Sequence, residues 1–171
     1  MIEPLNAGSI ASEIEALSAL LHACVHAGAS ISFVLPFSLE EARRFWLEKV
    51  GPGLQAGSRM LLVARKDDAI VGSVQLDMGT PPNQHHRAEV AKLLVHPRAR
   101  RQGIARSLML AIEDVARAEG RTLITLDTRS GDSAEPLYQS MGYNLMGVIP
   151  RYARDPHSSQ LDACSFFYKE L

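Results

Sequence analysis

The chain has 171 residues, of which 46% are hydrophobic, with 18 Lys and Arg against 19 Asp and Glu. That length suits a single domain, residues 1–171, and the composition excludes a disordered chain. A net charge of −1 excludes a molecule that binds nucleic acid over its whole surface.

No apolar run approaches the roughly 20 residues that a bilayer crossing needs, so no membrane partner is expected. Met1-Ile2-Glu3-Pro4 lacks the basic start and apolar stretch of a signal peptide, and the expected location is the cytoplasm. Cys24 and Cys164 are the only cysteines. They make neither a disulfide framework nor a metal motif, and they read as two small buried hydrophobes. No metal is expected.

Ile2–Leu5 reads as a first strand. Ser9 is a candidate N-cap for a helix carrying Ile10, Ile14, Leu17, Leu20, Leu21 and Val25, closed by Gly28. Ser38 with Glu41 forms a capping box for a second helix to about Val50, stopped by Gly51-Pro52-Gly53. Met60–Arg65 and Ile70–Met78 flank the turn Asp67-Asp68 and read as a hairpin. Ala88–Val95 is a further strand, ended by Pro97. Gly103–Glu119 is a helix with Ile104, Leu108, Ile112 and Val115 on one stripe. Thr122–Leu126 is a strand that looks buried, and Ala134–Met141 is a short helix. Tyr143–Ile149 and Ala163–Tyr168 are the last strands, with Arg151–Gln160 a polar loop between them. The order β-αα-βββ-α-β-α-ββ predicts an α/β (α+β) fold, a mixed sheet with helices on both faces.

The most informative segment is Val95-His96-Pro97-Arg98-Ala99-Arg100-Arg101-Gln102-Gly103-Ile104-Ala105-Arg106. A strand ends, a basic loop turns and a helix begins at Gly103. Between Val90 and Ile112 there is no acid, while Lys92, Arg98, Arg100, Arg101 and Arg106 all fall there. Helix N-termini expose unpaired N–H groups and a partial positive charge, which suits phosphate. Arginine adds charge-assisted hydrogen bonds. The turn lacks the Gly-Lys-Ser/Thr of a P-loop and the spaced glycines of a dinucleotide fingerprint. From the residues alone, a phosphate cradle and a solvated basic loop both stay open.

The segment resembles the GNAT acetyltransferases, which carry a strand, Val-x-Pro, Arg/Gln-x-x-Gly-x-Gly/Ala and a helix. Here Val95-His96-Pro97 precedes Arg100-Arg101-Gln102-Gly103-Ile104-Ala105. A second family pattern follows: Ala134-x-x-Leu137-Tyr138-x-x-x-Gly142-Tyr143. The resemblance covers most of the chain from Met60 onward. It implies a mostly antiparallel, seven-stranded sheet and acetyl-coenzyme A as co-substrate. The pyrophosphate would lie on backbone N–H groups from Arg101 to Arg106, and the pantetheine arm along Leu93, Leu94 and Val95. The strands Ala88–Val95 and Thr122–Leu126 would splay to admit the thioester. One departure stands at Gly131, where the family often has asparagine; Asp132 or Ser133 would have to substitute. A narrower likeness rests on His26-Ala27-Gly28-Ala29-Ser30, Arg87-Ala88-Glu89-Val90 with Lys92-Leu93, and Leu126-Asp127-Thr128. It is to tabtoxin-resistance acetyltransferases, and it implies a small zwitterionic amine as acceptor.

Acetyl transfer to an amine requires the ammonium to lose a proton and the leaving thiolate to gain one. Tyr138 stands in the family's tyrosine position and is the candidate general acid. Asp127, expected at the end of its strand, either binds the ammonium or receives its proton, or it caps a turn. Glu89 either activates a water or binds the amine, or it is a solvated residue or an ion-pair partner of Arg87. His85-His86 reads as a solvated loop, and Phe45 and Trp46 as core. The expected partner is a small-molecule amine, to a monomer or a homodimer. Two rival readings keep the same residues: an acyl-coenzyme A-binding sensor without turnover, and a nucleic-acid-binding module using the Arg98–Arg106 turn.

Overall fold

The apolar strand signals in the middle of the chain become the spine of one sheet. The computed structural model describes all 171 residues. Seven strands, β1 (Ile2–Leu5), β2 (Arg59–Lys66), β3 (Ala69–Asp77), β4 (Arg87–Val95), β5 (Leu123–Arg129), β6 (Asn144–Arg154) and β7 (Leu161–Glu170), lie in the order β1-β2-β3-β4-β5-β7-β6. Every neighbouring pair is antiparallel except β4 with β5. The expected mixed sheet, element order and β2–β3 hairpin are all present. No helix is long and apolar enough to cross a membrane.

The sheet separates two apolar layers. On one face α4 (Ile104–Ala118) and α5 (Ala134–Ser140) cover Val74, Leu76, Ala88, Val90, Ile124, Leu126 and Phe167. On the other, α1 (Ile14–His26) and α2 (Leu39–Arg44) cover Leu61, Val63, Ile70 and Leu94. Trp46 is fully buried in this second layer, as core. Burial of each such Leu, Ile or Val stabilises the fold by about 1.5–3 kcal/mol. α4 has the periodicity for its role: Leu108, Met109, Ile112 and Ala116 point inward and are inaccessible to solvent.

Several boundaries differ from the sequence reading. Ser9 does not cap α1. Its N–H and hydroxyl bond to Asn6 Oδ1 at 2.9 and 3.1 Å, a local turn wins, and the helix begins at Ile14. The Ser38–Glu41 capping box is present. The helix it opens does not stop at Gly51-Pro52-Gly53. It passes through a π-helical turn, Phe45–Val50, into α3 (Gly51–Gln55). Pro52 sits in the first turn of that new segment, where its missing N–H costs nothing. β6 runs to Arg154 rather than ending at Ile149, so the first part of the expected loop, Arg151–Arg154, is strand. A bulge between Ile149 and Ala153, with Arg151 at φ 54°, carries the edge strand past Pro150. β5 extends to Arg129, which places Asp127 inside the strand and not at its end.

Gly72 of β3 is where α4 meets the sheet. It pairs with Val95, at the start of the basic turn. A Cβ there would stand 3.0 Å from the Leu94 carbonyl oxygen and from Leu108 Cδ1, and 3.1 Å from Ile104 Cγ2. The first turns of α4 therefore rest directly on β3 backbone. Gly72→Ala should cost about 1–3 kcal/mol. At about 2–4 °C per kcal/mol, calorimetry should show a lowered unfolding midpoint. An unchanged midpoint would mean that α4 does not sit this close.

Candidate active site

The site begins where β4 and β5 separate. They pair only at Arg87–Leu123, Ala88–Ile124 and Glu89–Thr125. Beyond Glu89, the edge of β4 that faces β5 has no partner strand, so its backbone groups are available to an extended ligand. β4 is also bulged against β3: Gln75 faces Ala91, then Ser73 faces Leu94. Lys92 lies in that bulge at φ 52°. A cavity of about 630 Å³ fills the splay. Leu93, Leu94 and Val95 line one wall; Asp127, Thr128 and Arg129 line the other.

The basic turn closes one end. Gly103 caps α4 at φ 78°, a left-handed conformation that a Cβ would strain, and Arg101 is left-handed at φ 63°. No protein atom lies within 4 Å of a Cβ built on Gly103, so conformation rather than crowding calls for glycine. From Arg100 to Arg106 no backbone N–H donates to a protein acceptor; the first to do so is that of Ser107, to the Gly103 carbonyl. This row of donors at the head of a fifteen-residue helix is an anion cradle. Arg100, Arg101, Gly103, Ile104, Ala105 and Arg106 all line the cavity. Gln102 does not; its Oε1 accepts a bond from Lys66 Nζ at 3.0 Å. The Arg106 guanidinium donates to Ser140 Oγ at 2.6 Å and ties α4 to α5.

Tyr138 lies on α5, at the other wall. Its ring is 5% exposed and packs against Tyr143 and Phe167, each with ring centroids 5.8 Å away. It lines the cavity, and its hydroxyl has no protein partner. Burial, reinforced by the charges of Asp127 and Asp132, pushes its pKa well above the usual phenol range. The hydroxyl therefore stays protonated and able to donate.

The carboxylates sit on the α1–α2 side. Val90 turns into the α4 layer, so Glu89 faces the cleft, opposite Asp77 on β3 and Thr125 on β5. Asp127 follows two residues after Thr125, on the same face. Glu89 makes no ion pair with Arg87, which bonds instead to Gln84 Oε1 at 3.0 and 2.7 Å. Partial burial raises the Glu89 pKa, and the charges of Asp127 and Asp77 raise it further, against the pull of Arg87 and Lys92. The Cys164 thiol donates to Asp127 Oδ2 at 3.2 Å and fixes that carboxylate from behind.

At the Gly131 position, Ser133 lines the cavity as the residue before α5. Asp132 is held by Arg129, at 3.0 and 3.2 Å. Arg129 also reaches the Gly28 carbonyl at 3.1 Å and Asp155 at 3.2 Å, and so locks three loops around the cleft. Arg129 carried no sequence signal, because its partners are distant in the chain. Tyr152 falls in the segment that the sequence reads as a polar loop; the β6 bulge brings it to the cavity, edge-on to Phe166 at 5.2 Å.

The Acetyltransferase (GNAT) family model matches residues 29–143, a stretch that holds the basic turn and the tyrosine helix. The chain belongs to the GNAT acetyltransferase family. An uncharacterized N-acetyltransferase from the hisH-hisA intergenic region of Azospirillum brasilense is 36% identical over 114 residues, 66% of this chain and 66% of that protein. The ribosomal-protein-alanine N-acetyltransferase of Brucella melitensis has the same fold, with a TM-score of 0.82, 22% identity, and coverage of 100% of this chain and 99% of that one. So does yncA from Salmonella typhimurium, solved with its cofactor acetyl-CoA (TM-score 0.79, 16% identity, 100% and 93% coverage). GNAT enzymes use acetyl-CoA as co-substrate, and the unpaired N–H row, the arginines and the open strand edge fit a pyrophosphate followed by an extended arm.

If Asp127 and Glu89 face one cleft, removing one charge must relax the other. In Asp127→Asn the Glu89 carboxyl should titrate at lower pH than in the parent protein. Side-chain carboxyl ¹³C NMR across a pH series reads this directly. An unmoved Glu89 resonance would mean that the two do not share the site.

Proposed function

We propose that the protein transfers the acetyl group of acetyl-CoA to a primary amine of a small molecule, by direct attack of the amine on the thioester. The observation that carries this reading is the splay of β4 from β5, with the N–H row at one end and Tyr138, Glu89 and Asp127 at the other. The cofactor-holding set is Leu93, Leu94 and Val95 on the strand, Arg100, Arg101, Gln102, Gly103, Ile104, Ala105 and Arg106 on the turn, and Ser133 and Tyr138 on the far wall. Gln102 contributes through its backbone N–H alone. An amino-acid-like toxin or antibiotic is the narrower acceptor class, supported by the pairing of Glu89 with Asp127 in one cleft. Acetyl-CoA and two reduced, buried cysteines suit the cytoplasm.

The residues divide the work as follows. Glu89 and Asp127 attract the ammonium, and an ionised Glu89 takes its proton, directly or through water. A carboxylate with a raised pKa is the better base of the two. A backbone N–H of Leu94 or Val95, on the unpaired β4 edge, polarises the thioester carbonyl. As the C–N bond forms and the C–S bond breaks, Tyr138 gives its proton to the departing sulfur. The acylated nitrogen sheds its second proton as the amide forms, and that proton restores the tyrosine, directly or through water.

Acetyl-CoA at 100 times its Kd should stabilise the fold by about 2.7 kcal/mol, a rise of roughly 5–10 °C in the unfolding midpoint. ATP and NAD should give no such rise; equal stabilisation by all three would reduce the turn to a general anion site. Tyr138→Phe should keep the rise with acetyl-CoA and lose roughly 10²–10⁴-fold in kcat. Full turnover in that variant, measured by thiol release, would remove Tyr138 from the chemistry.

A further inference from the structure

Outside the basic turn, Lys92 is the one cation lining this cleft that no carboxylate answers. Arg59 pairs with Asp77, and Arg129 with Asp132, Asp155 and Asp162. Lys92 has no carboxylate within 4.0 Å and a single hydrogen bond, from Nζ to Ser32 Oγ at 3.1 Å. An ammonium has three donors, so two are left over. Nor does either Glu89 or Asp127 have a cation partner. Lys92 is half-buried, and a buried charge without a partner is costly; Glu89 and Asp127, more exposed, stand unpaired across the same cavity.

The backbone is built to put Lys92 there. In a regular strand its side chain would follow Val90 into the α4 layer. The bulge and the left-handed φ of 52° turn it to the face of Glu89 instead, under the loop between α1 and α2. Ser32, which it touches, is also left-handed, at φ 78°. Burial lowers the Lys92 pKa, while the charge of Asp127 raises it, Arg59 lowers it and Glu89 raises it.

We infer that Lys92 is a specificity residue that holds a carboxylate of the acceptor, while Glu89 and Asp127 hold its ammonium, so that the acceptor is an amino acid or a close analogue. The inference rests on the acetyl-transfer reading and adds to it the group that is recognised. A single ammonium offers one point charge, enough to balance one carboxylate, and the cofactor's phosphates have their cations and N–H groups at the basic turn.

The test compares free L-amino acids with their carboxamides as acceptors, using thiol release by the full chain with saturating acetyl-CoA. The amide's amine is the less basic of each pair, so intrinsic reactivity runs against the expected result. At least one free acid should have kcat/KM about 10-fold or more above its amide. Lys92→Met, which keeps the stem, should lower the acid about 10- to 100-fold. It should change the amide by less than about 3-fold and leave the KM for acetyl-CoA alone. Amides that match or exceed the acids in the parent protein would overturn the inference, as would a panel in which no acid is acetylated. So would an equal loss for acid and amide in Lys92→Met, which would leave Lys92 only tuning the two carboxylates. These failures are separate from failure of the acetyl-transfer reading, which shows as no midpoint rise with acetyl-CoA.

Discussion

The rest of the structure depends on β4 and β5 letting go of each other after Glu89 and Thr125. Two parallel strands that stayed paired would satisfy their backbones and close the sheet. By parting, they leave a polar edge on β4 that only a ligand can pair, and a gap deep enough to reach both faces. The sheet tolerates the break because β4 stays bonded to β3 along its other edge and β5 stays bonded to β7. The cavity is thus held open by continuous sheet on either side.

The same gap sorts charge. At one end, α4 starts hard against Gly72, and its first residues, with Arg100 and Arg101 before them, line the opening. At the other end, the α1–α2 face carries Glu89 and Asp127. A cofactor rich in phosphate and an acceptor that arrives as an ammonium are therefore drawn to opposite ends. Tyr138 lines the same cavity, its ring fixed by Tyr143 and Phe167 and its hydroxyl kept protonated by burial. The packing that stabilises α5 also holds that hydroxyl at the cavity wall.

Much of this was legible in the chain. Strand and helix order followed from hydrophobic period and from Gly and Pro punctuation. The capping box at Ser38 was read correctly because it is local: both of its hydrogen bonds close within three residues. The boundaries that failed were those decided by distant partners. Ser9 had a nearer bond to Asn6. The strand expected to end at Ile149 runs on, because on an edge strand a bulge absorbs Pro150. Asp127 looked like a strand end, but pairing with Phe166 on β7 extends β5 beyond it.

Local chemistry determined the elements, the basic turn and the residue types that can hold phosphate or donate a proton, because each needs only neighbours a few positions away. Tertiary structure alone decided which of these meet. That Gln102 turns out to Lys66 while Arg101 lines the cavity follows from how α4 lands on β3. That Glu89, Asp127 and Lys92 share one face follows from the parallel register of β4 with β5 and from a bulge set by β3. A bulge and a register are agreements between strands far apart in sequence, and no spacing within one segment encodes them.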